Sequence, residues 1–263
     1  MAERFLVAAA ELDKDVARIT GDELKHLKTV MRLKAGDAVE VFDGAGRGHE
    51  GILTDVDASR ALVEVGSPIT ISKESPVRIV LGQGIPKSDK MDFIIQKATE
   101  LGIGAVCPLS LARCVVRLEG DAKSKGRQAR WQKVAAEAAK QCGRLRVPAV
   151  MAPMDLASFI RSIGAFDMFL VPWEEGGQSL RVALGSALGE ARYPRDPATA
   201  TGNQDARGVF MLIGPEGGLT REEIHMCKAA GGKILSLGPR ILRTETAGLA
   251  LISVLQYVWG DVG

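Results

Sequence analysis

Three stretches of this 263-residue chain place glycine beside charge directly after an apolar run. DMFLV leads into Pro172-Trp173-Glu174-Glu175-Gly176-Gly177, and VFMLI leads into Gly214-Pro215-Glu216-Gly217-Gly218. KILSL leads into Gly238-Pro239-Arg240-Ile241-Leu242-Arg243-Thr244-Glu245-Thr246. Glycine lets a backbone approach a ligand closely, and ligands of parallel α/β sheets bind beyond the carboxyl ends of the strands. One such loop reads as an ordinary turn; three of the same kind read as one pocket. No GxxxxGK[ST] is present, and Gly82-Gln83-Gly84-Ile85-Pro86 lacks the third glycine of a dinucleotide fingerprint. Glu216 would repel a phosphate cradled in its loop. The pocket therefore suits a neutral or cationic ligand that reads backbone groups, such as an adenosine carrying a sulfonium.

These loops need strands to carry them, and the spacing supplies strands. From Val77 onward the chain alternates VRIVL, the helix KMDFIIQKATEL stopped by Gly102, AVCPL, a basic helix, then DMFLV, VFMLI, KILSL and a last apolar helix from Ala247 to Trp259. Strands alternating with helices imply a parallel sheet covered on both faces. Thr220-Arg221-Glu222-Glu223 is a capping box that opens a helix after the second loop. The stretch from Glu190 to Gly208 is rich in Pro, Ala, Thr and polar residues and reads as a mobile surface loop.

The first 72 residues follow another period. AVEVFDGAGRGHEGILTDVD holds two alternating runs about a Gly-rich hairpin connection, ALVEVGSPITI adds a strand, and DELKHLKTVMRL reads as one helix on Leu24, Leu27, Val30 and Met31. A small β-barrel with one helix is expected over 1–72, then a linker at SKESP and an α/β domain over 76–263.

The formal net charge of +2 hides a pattern: residues 76–150 carry 14 basic and 6 acidic side chains, while both flanks are net acidic. Arg127, Arg130, Lys133, Glu137, Lys140 and Arg144 recur every three or four residues beside an apolar phase of Trp131, Val134, Ala138 and Cys142. Such a stripe is either a solvated helix face or a track for a polyanion. Arg113, Arg117, Lys123, Lys125 and Arg146 around it favour nucleic acid.

Other classes fall away. The longest apolar run is too short to cross a bilayer, the first residues lack a signal-peptide pattern, and a cytoplasmic protein is expected. Cys107, Cys114, Cys142 and Cys227 show no metal-ligand spacing, so buried thiols and no metal are expected.

The motifs IGPEGGLTREE and LSLGPRILRTETAGLALISVLQY closely resemble the SPOUT class of methyltransferases, and most of all the RsmE type, which makes 3-methyluridine in small-subunit (16S) ribosomal RNA. The resemblance extends through RFLV, HLKTVMRLKAGD, FDGAGR, QKATELG and AAKQCGRLRVP. It implies a PUA-like RNA-binding barrel followed by an α/β domain with a trefoil knot. It also implies an S-adenosyl-L-methionine pocket near Leu170, Gly214, Glu216, Gly217, Gly218, Leu237, Gly238, Ile241 and Leu242. The sequence departs from the family at Pro172-Trp173-Glu174, where a His-Pro-Glu-like run is expected.

Methylating N3 of uracil requires loss of the imide proton and a cation to stabilise the ring anion as it forms. Arg243 is the expected cation, and Glu245 is the expected group for orienting a proton acceptor, or else a helix-dipole acid. By the resemblance Arg4, His26, Arg32, Arg113, Arg130, Lys133 and Arg144 hold RNA, with Arg144 nearest the chemistry. The partners implied are 16S ribosomal RNA or the small ribosomal subunit, and a second copy of the chain. The homodimer has its own reason: Leu249, Leu251, Ile252, Val254, Leu255, Tyr257 and Val258 surround the last helix, and a helix apolar on every side needs cover on every side. Methylation of another RNA nucleotide, a non-catalytic RNA-binding module and a nicotinamide-dependent oxidoreductase are the rival readings, the last weakened by the missing fingerprint.

Overall fold

The computed structural model describes residues 2–115, 121–164, 166–185 and 208–263. Arg117 and residues 190–207 of the loop read as mobile lie outside the described residues. The chain divides into two compact units, Met1–Glu74 with Ala136–Val147, and Ser75–Ala135 with Pro148–Gly263.

Among the described residues the first unit holds one five-stranded sheet in the order β1-β3-β4-β5-β2. These are β1 (Glu3–Leu6), β2 (Val16–Ile19), β3 (Ala38–Phe42), β4 (Gly48–Val56) and β5 (Ala61–Pro68). β3 and β4 form the expected antiparallel hairpin, and its connection is tied by Asp43, whose carboxylate accepts from the N–H groups of Ala45 and Arg47 at 2.8 and 3.0 Å. Period-2 alternation sends Phe5, Ala17, Ile19, Val39, Val41, Leu53 and Val63 into one core with Leu24 and Leu27. Burying each large side chain contributes about 1.5–3 kcal/mol.

The helix expected over 22–33 differs from its reading. α1 (Gly21–Lys25) passes into a π-helical turn, His26–Met31, and Arg32 ends it in the left-handed region at φ 57°. The wider turn keeps Leu24 and Leu27 in the core and carries Val30 out to solvent. That is why a 3.6-residue reading of Val30 as core fails.

The second unit is built on a sheet in the order β11-β13-β10-β12-β6-β7-β8. Its strands are β6 (Arg78–Gly84), β7 (Ala105–Ser110), β8 (Ala149–Val150), β9 (Met154–Asp155), β10 (Met168–Pro172), β11 (Gln178–Ser179), β12 (Gly208–Ile213) and β13 (Lys233–Ser236), with β9 pairing β7. All the pairings are parallel. β6 is buried from Ile79 to Gly84, as a strand covered on both faces must be.

Helices α2 (Lys90–Glu100), α3 (Asp121–Cys142), α4 (Leu156–Ser162), α5 (Leu180–Leu184), α6 (Arg221–Ala229) and α7 (Thr244–Trp259) complete the fold. α2 buries Met91, Ile94, Ile95, Ala98 and Thr99 at helical spacing. α7 is anchored by the fully buried Gln256, which donates to the Leu101 carbonyl at 2.7 Å and accepts from Ser75 Oγ at 2.8 Å.

A division into contiguous segments at 72 and 76 misses residues 136–147, the end of α3 and the turn after it, which pack with the first unit. Among the contacts that hold them there is a carboxylate in the linker itself, Glu74, which binds Arg144, Leu145 and Arg146. No helix among the described residues is long and apolar enough to cross a membrane.

Candidate functional site

The three glycine-bearing loops leave adjacent strands on the same edge of the sheet. β10 lies between β13 and β12, with Pro172 opposite Leu235 and Leu170 opposite both Lys233 and Met211. Since all three strands run parallel, their carboxyl ends open together. β6 adds a fourth loop from the far side of β12, with Gln83 opposite Ile213.

Two polar chains lock these loops. Gln83, fully buried, donates through Nε2 to Thr244 Oγ1 at 2.9 Å, and Thr244 Oγ1 donates to the Gly214 carbonyl at 2.6 Å. The end of β6, the loop after β12 and the start of α7 are thereby tied in series. The second chain runs through Glu216, whose carboxylate accepts from the Lys87 N–H at 3.1 Å and pairs with Lys90 Nζ at 3.2 Å; the same ammonium lies 3.3 Å from Glu245 Oε2. The hydrogen bond to Glu216 raises the Lys90 pKa against the opposing effect of desolvation, and Glu245 adds to the rise.

The capping box forms as expected: Thr220 Oγ1 accepts from the Glu223 N–H at 3.2 Å while Glu223 accepts from the Thr220 N–H at 2.9 Å. Glu223 also accepts from the Ala112 N–H at 2.8 Å, which draws the segment after β7 to the same place. There Arg113 donates to the Gly217 carbonyl at 2.8 Å.

The surface this makes is glycine backbone with a carboxylate rim. Gly218 has φ +71°, and a Cβ at that position would collide with the Glu174 carboxylate, which reaches across from the loop after β10. Gly238 has φ +121° with open space where a Cβ would stand. Trp173 Nε1 is a buried donor with no hydrogen-bond partner among the described residues. An unused donor, backbone open to approach and nearby carboxylates fit a ligand with acceptor atoms and positive charge, and fit a phosphate poorly.

The structure separates the expected site residues into groups. Gly214, Glu216, Gly217, Gly218, Leu237, Gly238, Ile241, Leu242, Arg243 and Glu245 all lie in the loops described or in the first turn of α7, and Ile241 is 84% exposed. Leu170 is fully buried within β10, short of the loop. Arg243 is the N-cap of α7, its side chain exposed and its carbonyl accepting from Thr246 and Ala247. Lys90, Gln83 and Thr244 join the site without any motif in the sequence that marks them. A glutamine inside the apolar run VRIVLGQGI is the one signal that could have pointed to them.

Several expected RNA ligands are held internally. Arg4 pairs with Glu40 at 2.8 Å and lies over the Phe42 ring at 5.0 Å, its side chain 10% exposed. Arg144 is 5% exposed, locked on Glu74 in the first unit. Arg130 binds Asp92 at 2.6 Å and Asp89 at 3.1 Å, and Lys140 binds Glu23 at 2.9 Å. Arg130, Lys140 and Arg144 of the basic stripe are thus held in ion pairs, and Lys133 is an exposed residue of α3. Arg32 and the half-buried His26 flank the π-helical turn, and an open groove there is lined by Lys28, Arg32, Leu33, Lys34, Ala35, Asp55 and Val56.

The pocket edge and the two-unit plan define a class, and the comparisons give it. A family model for an RNA methyltransferase domain matches residues 73–256, and one for an RNA methyltransferase PUA domain matches residues 19–66. The chain belongs to this family of RNA methyltransferases, and its first unit is PUA-like. Ribosomal RNA small subunit methyltransferase E of Bacillus subtilis is 35% identical over 239 residues, covering 91% of this chain and 89% of that protein. The crystal structure of Ribosomal RNA small subunit methyltransferase E from Neisseria gonorrhoeae, bound to S-adenosyl methionine, matches with a TM-score of 0.84 at 33% identity over 100% of both chains. A methyltransferase from Legionella pneumophila with SAM bound matches with a TM-score of 0.83 at 29% identity over 99% of both.

Proposed function

We propose that this chain uses S-adenosylmethionine to methylate N3 of a uridine in small-subunit (16S) ribosomal RNA. The observation that carries the reading is the alignment of three glycine-bearing loops on the carboxyl ends of adjacent parallel strands, in a chain similar from end to end to a relative crystallised with that cofactor. Bound there, S-adenosylmethionine supplies a methyl group made electrophilic by a sulfonium.

The chain's residues do the rest. Gly214, Glu216, Gly217, Gly218, Leu237, Gly238, Ile241 and Leu242 hold the cofactor through backbone groups and apolar cover, with Leu170 packed beneath. Arg243, exposed at the N-cap of α7, supplies the cation that stabilises the anionic uracil ring as its charge develops. Glu245, held by Lys90, orients the group that accepts the imide proton. The uridine leaves its stack to reach the pocket. The groove of Lys28, Arg32 and Lys34 takes flanking phosphates, with Lys133 and Arg113 as further contacts. A trefoil knot, two-fold pairing of chains and a cytoplasmic site of action belong to the same reading.

Calorimetric titration with S-adenosylmethionine, followed by mass spectrometry of small-subunit RNA incubated with both, tests it. Cofactor binding and a new 3-methyluridine are expected; RNA binding without cofactor affinity would overturn the reading in favour of a non-catalytic module. Arg243→Ala is expected to lower kcat about a hundredfold while leaving cofactor affinity within about threefold, the pattern of a contact made in the transition state.

A further inference from the structure

One lysine stands between two carboxylates where three loops of the pocket meet. Lys90 opens α2, and its Nζ lies 3.2 Å from Glu216 Oε1 and 3.3 Å from Glu245 Oε2. Glu216 belongs to the loop after β12, and Glu245 to the first turn of α7, two residues from Arg243. The side chains are each about a third exposed or less, so the pairing sits at a shielded edge and is screened less than a surface ion pair.

The cluster has a direction. Thr244 already fixes the backbone before Glu245 to Gly214, but backbone anchoring leaves a carboxylate at the end of a flexible side chain free to turn. Two carboxylates brought to one place repel unless a cation is shared between them. Glu245 Oε2 is buried, and the Lys90 ammonium lies 3.3 Å from it. Glu245, held by that ammonium, is placed to anchor the Arg243 turn.

We propose that Lys90 is a positioning residue for methyl transfer, whose ammonium joins the Glu216 loop to the Arg243–Glu245 turn and so sets where Arg243 stands relative to the cofactor loops. The proposal rests on the reading given under Proposed function. It accounts for three features together: a lysine at the head of α2, a glutamate in the tightest glycine loop, and a glutamate beside the expected cation.

The test uses the full chain with Lys90→Met, Lys90→Arg, Glu245→Gln and the double variant Lys90→Met with Glu245→Gln. Measured are the S-adenosylmethionine Kd by calorimetry, kcat and KM for small-subunit RNA at saturating cofactor, and Tm. Lys90→Met is expected to lower kcat at least about tenfold and to raise the cofactor Kd about fivefold, with the RNA KM within about twofold. Lys90→Arg, which keeps the charge, should restore kcat to within about threefold, and the double variant should be no worse than Lys90→Met alone, since both changes break one contact. A Lys90→Met enzyme within about twofold of the parent kcat, additive losses in the double variant, or an arginine variant no better than the methionine one would each overturn the proposal. Should Lys90→Met fail to fold, the arginine and Glu245→Gln variants carry the same comparison. A parent chain that binds no S-adenosylmethionine would instead sink the underlying reading.

Discussion

The Arg144 guanidinium grips one oxygen of the Glu74 carboxylate, Nη2 at 2.8 Å and Nε at 3.0 Å, while the other oxygen accepts the N–H groups of Leu145 and Arg146 at 3.0 and 2.9 Å. One carboxylate thus satisfies a buried guanidinium and two backbone donors just beyond the end of α3. With the Lys140–Glu23 pair and the bridge between Ala45 and Arg146, it ties residues 136–147 to the first compact unit although more than sixty residues of the second precede them in the chain.

Removing that carboxylate should cost stability more than activity would suggest. Glu74→Ala takes two charge-assisted hydrogen bonds from a nearly buried guanidinium and the acceptor from the N–H groups of Leu145 and Arg146, a loss of about 3 kcal/mol. Urea unfolding followed by circular dichroism should show the lower midpoint, and replacing both Glu74 and Arg144 by leucine should recover part of it. A midpoint unchanged by Glu74→Ala would mean that the pair is only decoration on a surface.

Much of this architecture was legible because the periodicity is clean. The five long strands of the second unit, the hairpin about Asp43, the capping box at Thr220 and Glu223 and the glycine loops at the strand ends all follow from apolar spacing and turn chemistry. What failed to show was pairing between distant side chains. Arg130, Lys140 and Arg144 have the spacing of a phosphate track, yet each finds acids that lie far away in sequence, and no one-dimensional pattern reveals that. The π-helical turn was hidden for a similar reason, since Val30 has the right type for the core and only the widened turn removes it.

The groove beside that turn should carry the electrostatic part of RNA binding. Arg32→Ala and Lys34→Ala are each expected to reduce the slope of log affinity against log salt by about 0.7 for a single-stranded contact. Arg4→Ala should leave the slope alone and lower Tm, because Arg4 is engaged with Glu40 and Phe42. Filter binding across a salt series separates the two. Equal slopes for all three variants would rule the groove out as a phosphate site.

Acid should loosen the loop after β12. Burial alone would raise the Glu216 carboxyl, but its own N–H, that of Lys87 and the Lys90 ammonium outweigh burial and hold it below the ordinary 4.5. A carboxyl depressed by folding contributes stability above its unfolded pKa and loses it as pH falls through the folded one. Lys90, raised by the same pair, contributes below 10.5 and loses its share as pH rises through its folded value. Amide exchange at Gly217 and Gly218, corrected for intrinsic rates, should therefore be steady near neutrality and rise only below the ordinary carboxylate range. Glu216→Gln should abolish that acid limb; its persistence would assign the limb to another group.

The last helix decides whether the chain pairs with itself. Its buried residues, Thr244, Gly248, Leu251, Ile252, Leu255, Gln256 and Trp259, form one face at helical spacing, and Leu251 is fully buried inside the single chain. Leu249, Val254 and Val258 are only half covered and Tyr257 is 73% exposed, so a second apolar strip faces outward beside the packed one. A charge at Leu251 would unfold the domain whether or not it dimerises, which makes that position useless as a test. Tyr257→Arg is the informative change, because the ring contributes little to the core of its own chain. Light scattering at micromolar concentration should give about twice the 28.0 kDa chain mass for the parent and the chain mass for Tyr257→Arg, with the variant's circular dichroism unchanged. A folded parent chain that scatters as a monomer would leave the outward strip without a second copy to cover it and would overturn the pairing.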